Sequence, residues 1–312
     1  MEGIIKAVCI SKKRGTEKQN VKKAMLIENY GIEHDAHAGS WHRQVSLLSY
    51  DKVQSFNQKG ANVQDGSFGE NLLVEGIDFR NLKVKTRLQC QNVILEITQI
   101  GKECHSHCQI YQRMGECIMP IEGVFARVIQ GGKIEVGDVM KVIPSENKQL
   151  TAAVITLSDK GSQGLREDTS GVKIKEILES HGYDVVEYFI LSDDQKTLEK
   201  ELIRLCDQRQ VNLILTTGGT GFSPRDHTPE ATMNVMTRNA PGIAEAIRYE
   251  SMKYTKRAML GRGVSVIRHS TLIVNLPGSL KAVIESMDII IDTLAHGLHV
   301  LRDQEHECGR HV

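Results

Sequence analysis

The sequence predicts a multidomain α/β protein. A mainly-β, barrel-like domain comes first, followed by a three-layer α/β/α domain with a mostly parallel sheet. Three observations carry that expectation. From Met1 to about Val142 the chain reads as short β-like runs separated by turn residues, with few long helical patterns. After Leu150, buried strand-like runs alternate with amphipathic helical ones, the mark of βαβ units. Between the two, "IPSENKQL", Ile143 to Leu150, is short, polar and opened by a proline, which places a boundary there. The expected domains are residues 1–145 and 150–312.

In the first domain the clearest strands are "GIIKAVCI", "QVSLLS", "NLLVEG", "NVILEITQI" and "GVFARVI". "QGGKIEVGDVMKV" reads as a closing pair of strands set off by Gly131-Gly132 and Gly137-Asp138. In the second, "TAAVITLS" is a buried strand. "SGVKIKEILESHG" is a helix, with Ile174, Ile177, Leu178 and His181 at helical spacing and Gly182 as its stop. "YDVVEYFIL" is a strand, and Lys196 to Arg209 a helix with Leu198, Leu202, Leu205 and Cys206 on one face. "VNLILTT" is a strand running into a glycine loop. Helices open at about Pro229 and at Pro241, then come the apolar runs "VSVI" and "STLIVNLP". A long amphipathic helix from Ser279 closes the domain, its expected inner face Leu280, Val283, Ile284, Met287, Ile291 and Leu294.

Composition narrows the function classes. Lys plus Arg and Asp plus Glu both number 39, and neither half hides an excess: residues 1–149 carry 20 basic and 17 acidic side chains, the rest 19 and 22. A phosphate-backbone binder would show a basic surplus, so nucleic acid is not the expected partner. No apolar run is long enough to span a membrane, and the N-terminal apolar run is too short for a signal peptide. Seven cysteines, an odd number, favour a reducing compartment, and a cytoplasmic protein is expected.

The loop "TTGGTGFSPRDHTPEA", Thr216 to Ala231, sits where ligands bind in open parallel sheets. Gly218, Gly219 and Gly221 permit positive φ, so backbone N–H groups around Thr220 can converge on an anion. Thr228 is a plausible N-cap ahead of Pro229. The loop lacks the Gly-Lys-Ser/Thr of a Walker A motif, and its glycine spacing fails the dinucleotide fingerprint. A tight turn serving only packing is the alternative. Asp226 argues against it: an acid beside a phosphate cradle repels the ligand unless Mg²⁺ lies between them. "LSDDQ" supplies a second acid, Asp193, though Ser192 or Asp193 could simply cap the next helix. "NLPGS" places Asn275, Pro277, Gly278 and Ser279 at another strand-to-helix turn, either an anion site or a helix start. Ser158, Asp159 and Ser162 would share the same sheet edge.

These three motifs, at these separations, closely resemble the molybdopterin adenylyltransferase family, of Mog/MoaB type, over residues 150–300. The resemblance implies transfer of AMP from Mg-ATP to the terminal phosphate of molybdopterin, with release of pyrophosphate, in a homotrimer. It implies Asp226 and Asp193 as catalytic carboxylates and Mg²⁺ ligands. Gly218, Gly219, Thr220 and Gly221, with Ser158 and Asp159, would be the nucleotide-phosphate site. Asn275, Pro277, Gly278 and Ser279 would be the pterin-binding turn. No protein nucleophile and no pyridoxal phosphate are expected. A non-catalytic molybdopterin-binding or storage protein is the alternative of a different class.

In the N-terminal half, "GKECHSHCQIYQRMGEC" gathers Cys104, His105, His107, Cys108 and Cys117. A zinc site, packing thiols and a functional thiolate all fit this spacing. With "GIEHDAHAGSWHRQVSLLS", "DGSFGENLLVEGIDF" and "GVFARVIQGGKIEVGD", the segment resembles the MOSC domain, named for molybdenum-cofactor sulfurases. That resemblance implies a β-rich domain that binds molybdenum cofactor or carries sulfur on a cysteine. Cys108 would be that cysteine, with Cys104 and Cys117 in reserve, and His37, Arg43 and Asn71 would line an anion pocket. A molybdenum-insertion protein or a sulfur donor would be its protein partner.

Overall fold

The computed structural model describes residues 1–104, 109–143 and 149–302. Cys108 and the neighbouring His105 and His107 lie outside the described residues. The chain divides into two compact units, Met1–Asn147 and Lys148–Val312. Among the described residues no helix is long and apolar enough to cross a membrane.

The strands of the first unit are β1 (Glu2–Ile10), β2 (Gln19–Asn20), β3 (Lys23–Ile27), β4 (Gly31–Ile32), β5 (Val45–Ser49), β6 (Leu72–Glu75), β7 (Arg87–Cys90), β8 (Val93–Ile100), β9 (Val124–Gln130), β10 (Gly132–Glu135) and β11 (Val139–Ile143). Helices α1 (Tyr50–Gln58), α2 (Gln109–Met114) and α3 (Met119–Glu122) interrupt them. The larger sheet runs β11-β7-β8-β9-β5-β6-β1-β2, and pairing of β1 with β11 closes it into a barrel. Alternation along the strands explains the closure. Ile5, Val8, Leu47, Leu72, Val74, Leu88, Leu95, Ile97 and Val128 form one apolar cluster. The opposite set, Ala7, Cys9, Leu48, Leu73 and Phe125, packs with Val53 and Phe56 of α1, Ile110 of α2 and Met119 of α3.

One expectation is corrected here. β10 and β11 do not pair with each other: β10 joins β3 in a separate sheet, and β11 pairs with β7 and β1. The reason lies at Gly137, at φ +97°, which turns the chain out of one sheet and into the other.

The second unit contains β12 (Thr151–Leu157), α4 (Asp159–Ser162), α5 (Thr169–Ser180), β13 (Asp184–Leu191), α6 (Gln195–Ile203), β14 (Leu213–Thr217), α7 (Thr228–Asn234), β15 (Arg238–Asn239), α8 (Gly242–Ser251), β16 (Ser265–Arg268), β17 (Thr271–Leu276) and α9 (Leu280–Leu301). The sheet order is β13-β12-β14-β17-β16-β15, parallel through β17 and antiparallel at the β16–β15 edge. Strand residues alternate between two cores. Ala152, Val154, Leu213, Leu215 and Val274 meet α5, α8 and α9, whereas Ala153, Ile155, Ile214 and Ile273 meet α6 and α7.

Two helices differ from expectation. The helix after β13 stops being α at Ile203 and finishes as a π turn, Arg204–Gln208, which still buries Leu205 and Cys206. In that turn Arg204 reaches the Glu187 carboxylate at 2.5 Å, and Arg209 reaches it at 2.6 Å. On α9, Leu280 and Ile284 face outward, while Ile290 and Leu298 complete the buried stripe. The true stripe runs at helical spacing from Val283, and Leu280 lies in the exposed first turn.

Candidate active site

Strand β14 ends in the glycine turn. Gly218 has φ +97° and Gly219 has φ +63°, a conformation that side-chain-bearing residues rarely adopt. A Cβ on Gly218 would also strike the carbonyl oxygen of Leu157. Opposite stands the turn after β17, so close that a Cβ on Gly278 would lie 3.2 Å from the Gly218 Cα. The two strand-to-helix turns therefore meet glycine to glycine. Hydroxyls lock them in place: Thr217 donates to the Pro277 carbonyl at 2.7 Å, Thr228 to the Gly218 carbonyl at 2.9 Å, and Ser170 to the Gly278 carbonyl at 3.0 Å. Thr228 is thus not the N-cap of α7. His227 holds that position, and the Thr228 hydroxyl is used across the loop.

Three aspartates converge beside this turn. Asp159 and Asp193 exchange backbone bonds: the Asp159 N–H donates to Asp193 Oδ2 at 3.2 Å and the Asp193 N–H to Asp159 Oδ1 at 3.1 Å. Asp226 accepts from the Ser223 N–H at 2.9 Å, so its loop is closed on itself. Neither Ser192 nor Asp193 caps α6. Asp194 does, accepting from the Thr197 N–H at 2.8 Å, which leaves Asp193 free of that duty. Burial holds the Asp193 carboxyl above its ordinary range. The charges of Asp159 and Asp226 push it the same way, against a backbone hydrogen bond and Arg225. Arg225 pairs with Asp159 at 2.6 Å.

Such a cluster is short of positive charge, which suits a cation. Among the described residues, no three His, Cys, Asp or Glu side chains are placed to hold a metal by themselves. Two carboxylates completed by substrate phosphates is the arrangement Mg²⁺ ordinarily accepts.

Two cavities adjoin the turn. One, of about 360 Å³, is polar and is lined by Ser158, Thr169, Asp193, Thr217, Gly218 and Ser279 among others. The other, of about 420 Å³, is mainly apolar and lies against Ala244, Ile247, Leu260 and Ala282, with Arg248 and Arg257 at its wall. Gly219, Asp226 and Gly278 line both.

Ser158 and Ser279 both cap helices, accepting from the N–H groups of Gly161 and Ala282. Asn275 lies behind the second turn. Its amide donates to the Thr216 and Thr232 hydroxyls, each at 2.9 Å, and accepts from the Val264 N–H at 3.2 Å, so it supports the turn while also lining the apolar cavity. Sequence reasoning missed Arg262, whose guanidinium donates to the carbonyls of Gly221, at 2.7 Å, and Asp226, and to the Glu230 carboxylate. No local signal marks it, because it lies more than thirty residues beyond the loop it holds.

In the first unit, the Arg43 guanidinium sits 4.9 Å from the Trp41 ring centre and 5.5 Å from that of Phe125. His37 is half-buried, and its imidazole is held below its ordinary pKa by burial and by Lys18, against Asp35. Asn71 is held by buried hydrogen bonds. Its side chain is buried, donates to the Cys9 carbonyl at 2.9 Å and accepts from the Ser46 N–H and hydroxyl, each at 3.0 Å. It fastens β1 to β5 and lies against Asp35, next to His37. A buried pair unseen in the sequence, Lys18 with Asp35 at 2.8 Å, lies next to His37. Cys104 is exposed and Cys117 half-buried.

Residues 153–296 match the model of a probable molybdopterin binding domain, and residues 34–141 that of the MOSC domain. The chain is 39% identical over 145 residues to a molybdopterin adenylyltransferase of Helicobacter pylori, covering 46% of this chain and 82% of that protein. It is 40% identical over 157 residues to the molybdenum cofactor synthesis protein cinnamon of Drosophila melanogaster, covering 50% of this chain and 26% of that one. Among solved structures, the molybdopterin biosynthesis enzyme MoaB of Thermus thermophilus is 38% identical. It covers 51% of this chain and 100% of its own, with a TM-score of 0.48.

Proposed function

Because the chain belongs to the molybdopterin adenylyltransferase family through its second unit and carries a MOSC domain in its first, we propose that it works in molybdenum cofactor biosynthesis, the second unit adenylylating molybdopterin. The observation that carries this reading is the pair of cavities meeting at Gly219, Asp226 and Gly278. Two substrates held on either side of one turn would bring their reacting phosphates together there.

In the reaction a terminal phosphate oxygen of molybdopterin attacks the α-phosphorus of ATP. A new P–O bond forms, the bond to the β-phosphate breaks, and pyrophosphate leaves. Gly218 to Gly221 cradle nucleotide phosphate with backbone donors, assisted by the turn at Ser158 and Asp159. Pro277, Gly278 and Ser279 form the pterin turn, held from behind by Asn275. Asp193 and Asp226 would hold Mg²⁺, which when bound offsets charge developing on the α-phosphate. Burial and the charges of Asp159 and Asp226 raise the Asp193 pKa, and a bound cation would oppose that shift. In the first unit, Arg43 and His37 offer an anion site for molybdenum cofactor, and Cys108 is the thiol we assign to sulfur transfer or metal ligation.

Incubation of the full chain with molybdopterin, ATP and Mg²⁺ should yield the AMP adduct and pyrophosphate. Asp226→Asn should lower that rate roughly 100-fold or more. Full activity in this variant would remove Asp226 from catalysis, and a folded wild-type protein that forms no adduct would point to a binding or storage protein. For the first unit, Cys108→Ala should abolish persulfide acceptance. Unchanged acceptance and unchanged cofactor binding would clear Cys108 of both roles.

A further inference from the structure

Asp226 sits in a loop that has little of its own to hold it. Phe222, Ser223, Pro224 and Arg225 are all exposed, Phe222 to 69%. The bonds between Ser223 and Asp226 close the turn locally but do not anchor it to the fold. Beyond the exposed Arg225 pair with Asp159, anchorage comes from one distant residue. The Arg262 guanidinium spans the loop from the Gly221 carbonyl, reached by Nε at 2.7 Å, to the Asp226 carbonyl, reached by Nη2. Its Nη1 grips Glu230 in the first turn of α7. Its backbone N–H donates to the Thr220 carbonyl at 2.9 Å. Four points on one loop and the helix that follows it are tied to a single side chain and its backbone.

We infer that Arg262 is the positioning residue for Asp226, fixing the height of that carboxylate above the glycine turn through the planar fork of its guanidinium. The inference rests on the adenylyl-transfer reading above. Only a guanidinium meets the geometry, since it sends N–H groups in separate, fixed directions to three acceptors. A lysine at this site keeps the charge and can still pair with Glu230, but it cannot span Gly221 and Asp226 together. The Glu230 carboxyl fits this picture: burial opposes its ionisation, yet the Arg262 hydrogen bond and charge hold it below its ordinary range.

The test is steady-state adenylyl transfer by full-length Arg262→Lys, with molybdopterin, ATP and titrated Mg²⁺, beside its thermal melt. Displacing a reacting group by a fraction of its own width costs about 10- to 100-fold in rate. The expected result is therefore a kcat reduced by that factor, KM for both substrates within about threefold of wild type, and a higher Mg²⁺ concentration for half-maximal rate. A kcat per folded protein equal to wild type overturns the inference, as does a loss confined to KM. Should R262K fail to fold, Glu230→Gln decides. It weakens one of the guanidinium's anchors, so a smaller fall in kcat at constant KM supports the inference and an unchanged kcat overturns it. Activity in the wild type with none of these changes defeats the role of Arg262 alone; no activity in the wild type defeats the functional reading itself.

Discussion

Glu70 shows how one buried group sets a pH dependence. Its carboxylate is fully buried and accepts from the N–H groups of Gly66, at 2.7 Å, and Phe68, at 3.0 Å. Burial nevertheless dominates those bonds and raises its pKa from 4.5 to about 7. Between those two values the folded protein holds a proton that the unfolded chain has released, so stability falls as pH rises across the window and levels off above it. The loss is roughly 3 kcal/mol at most, taking about 1.4 kcal/mol per pKa unit. Glu70→Gln removes the titration. Its stability, followed by denaturant melts from about pH 5 to 8, should lose that slope. It should also be lower at the acid end, where the amide N–H₂ meets a backbone donor. A variant retaining the wild-type slope would assign the dependence to another group.

At the scale of elements, what the sequence made legible was periodicity and turn chemistry. The glycine turn after β14, the α5 stripe at Ile174 and Leu178, and the stop at Gly182, with φ +82°, follow from local rules. Less legible was any feature settled by a partner far along the chain. β10 and β11 look like a hairpin until their separate partners are known, and the buried bonds of Asn71 and Asn275 cannot be read from their sequence neighbours. For the same reason neither Arg262 nor the Lys18–Asp35 pair had a sequence signal. The distinction is testable on Asn275. If its amide joins β17 to β14 and α7, Asn275→Ala should destabilise the second unit by roughly 2–4 kcal/mol, because it strands buried donors and acceptors. Calorimetry of the full chain should show its transition moved down. A variant with wild-type melting and only a raised KM for molybdopterin would restore Asn275 to direct pterin contact.

At the scale of the whole molecule, each unit has its own apolar clusters among the described residues. Domains built this way unfold as separate cooperative units. Heating should therefore give two transitions, and the Asn275 variant should shift only one of them; a single transition moved as a whole would show that the units are energetically fused. The closure of the barrel has a consequence for how this chain is made. Glu2 pairs with Lys141 and Ile4 with Val139, so during synthesis the first strand of this unit waits for its last. Until then β1 keeps one row of backbone N–H and C=O groups without its final partner, and ring closure spans nearly the entire unit, the kind of contact that forms slowly. In the second unit β12 finds β13 after only two helices, α4 and α5. The half that is synthesised first is thus the one whose nascent chain stays longest with an open edge, and the one that most needs shelter during translation.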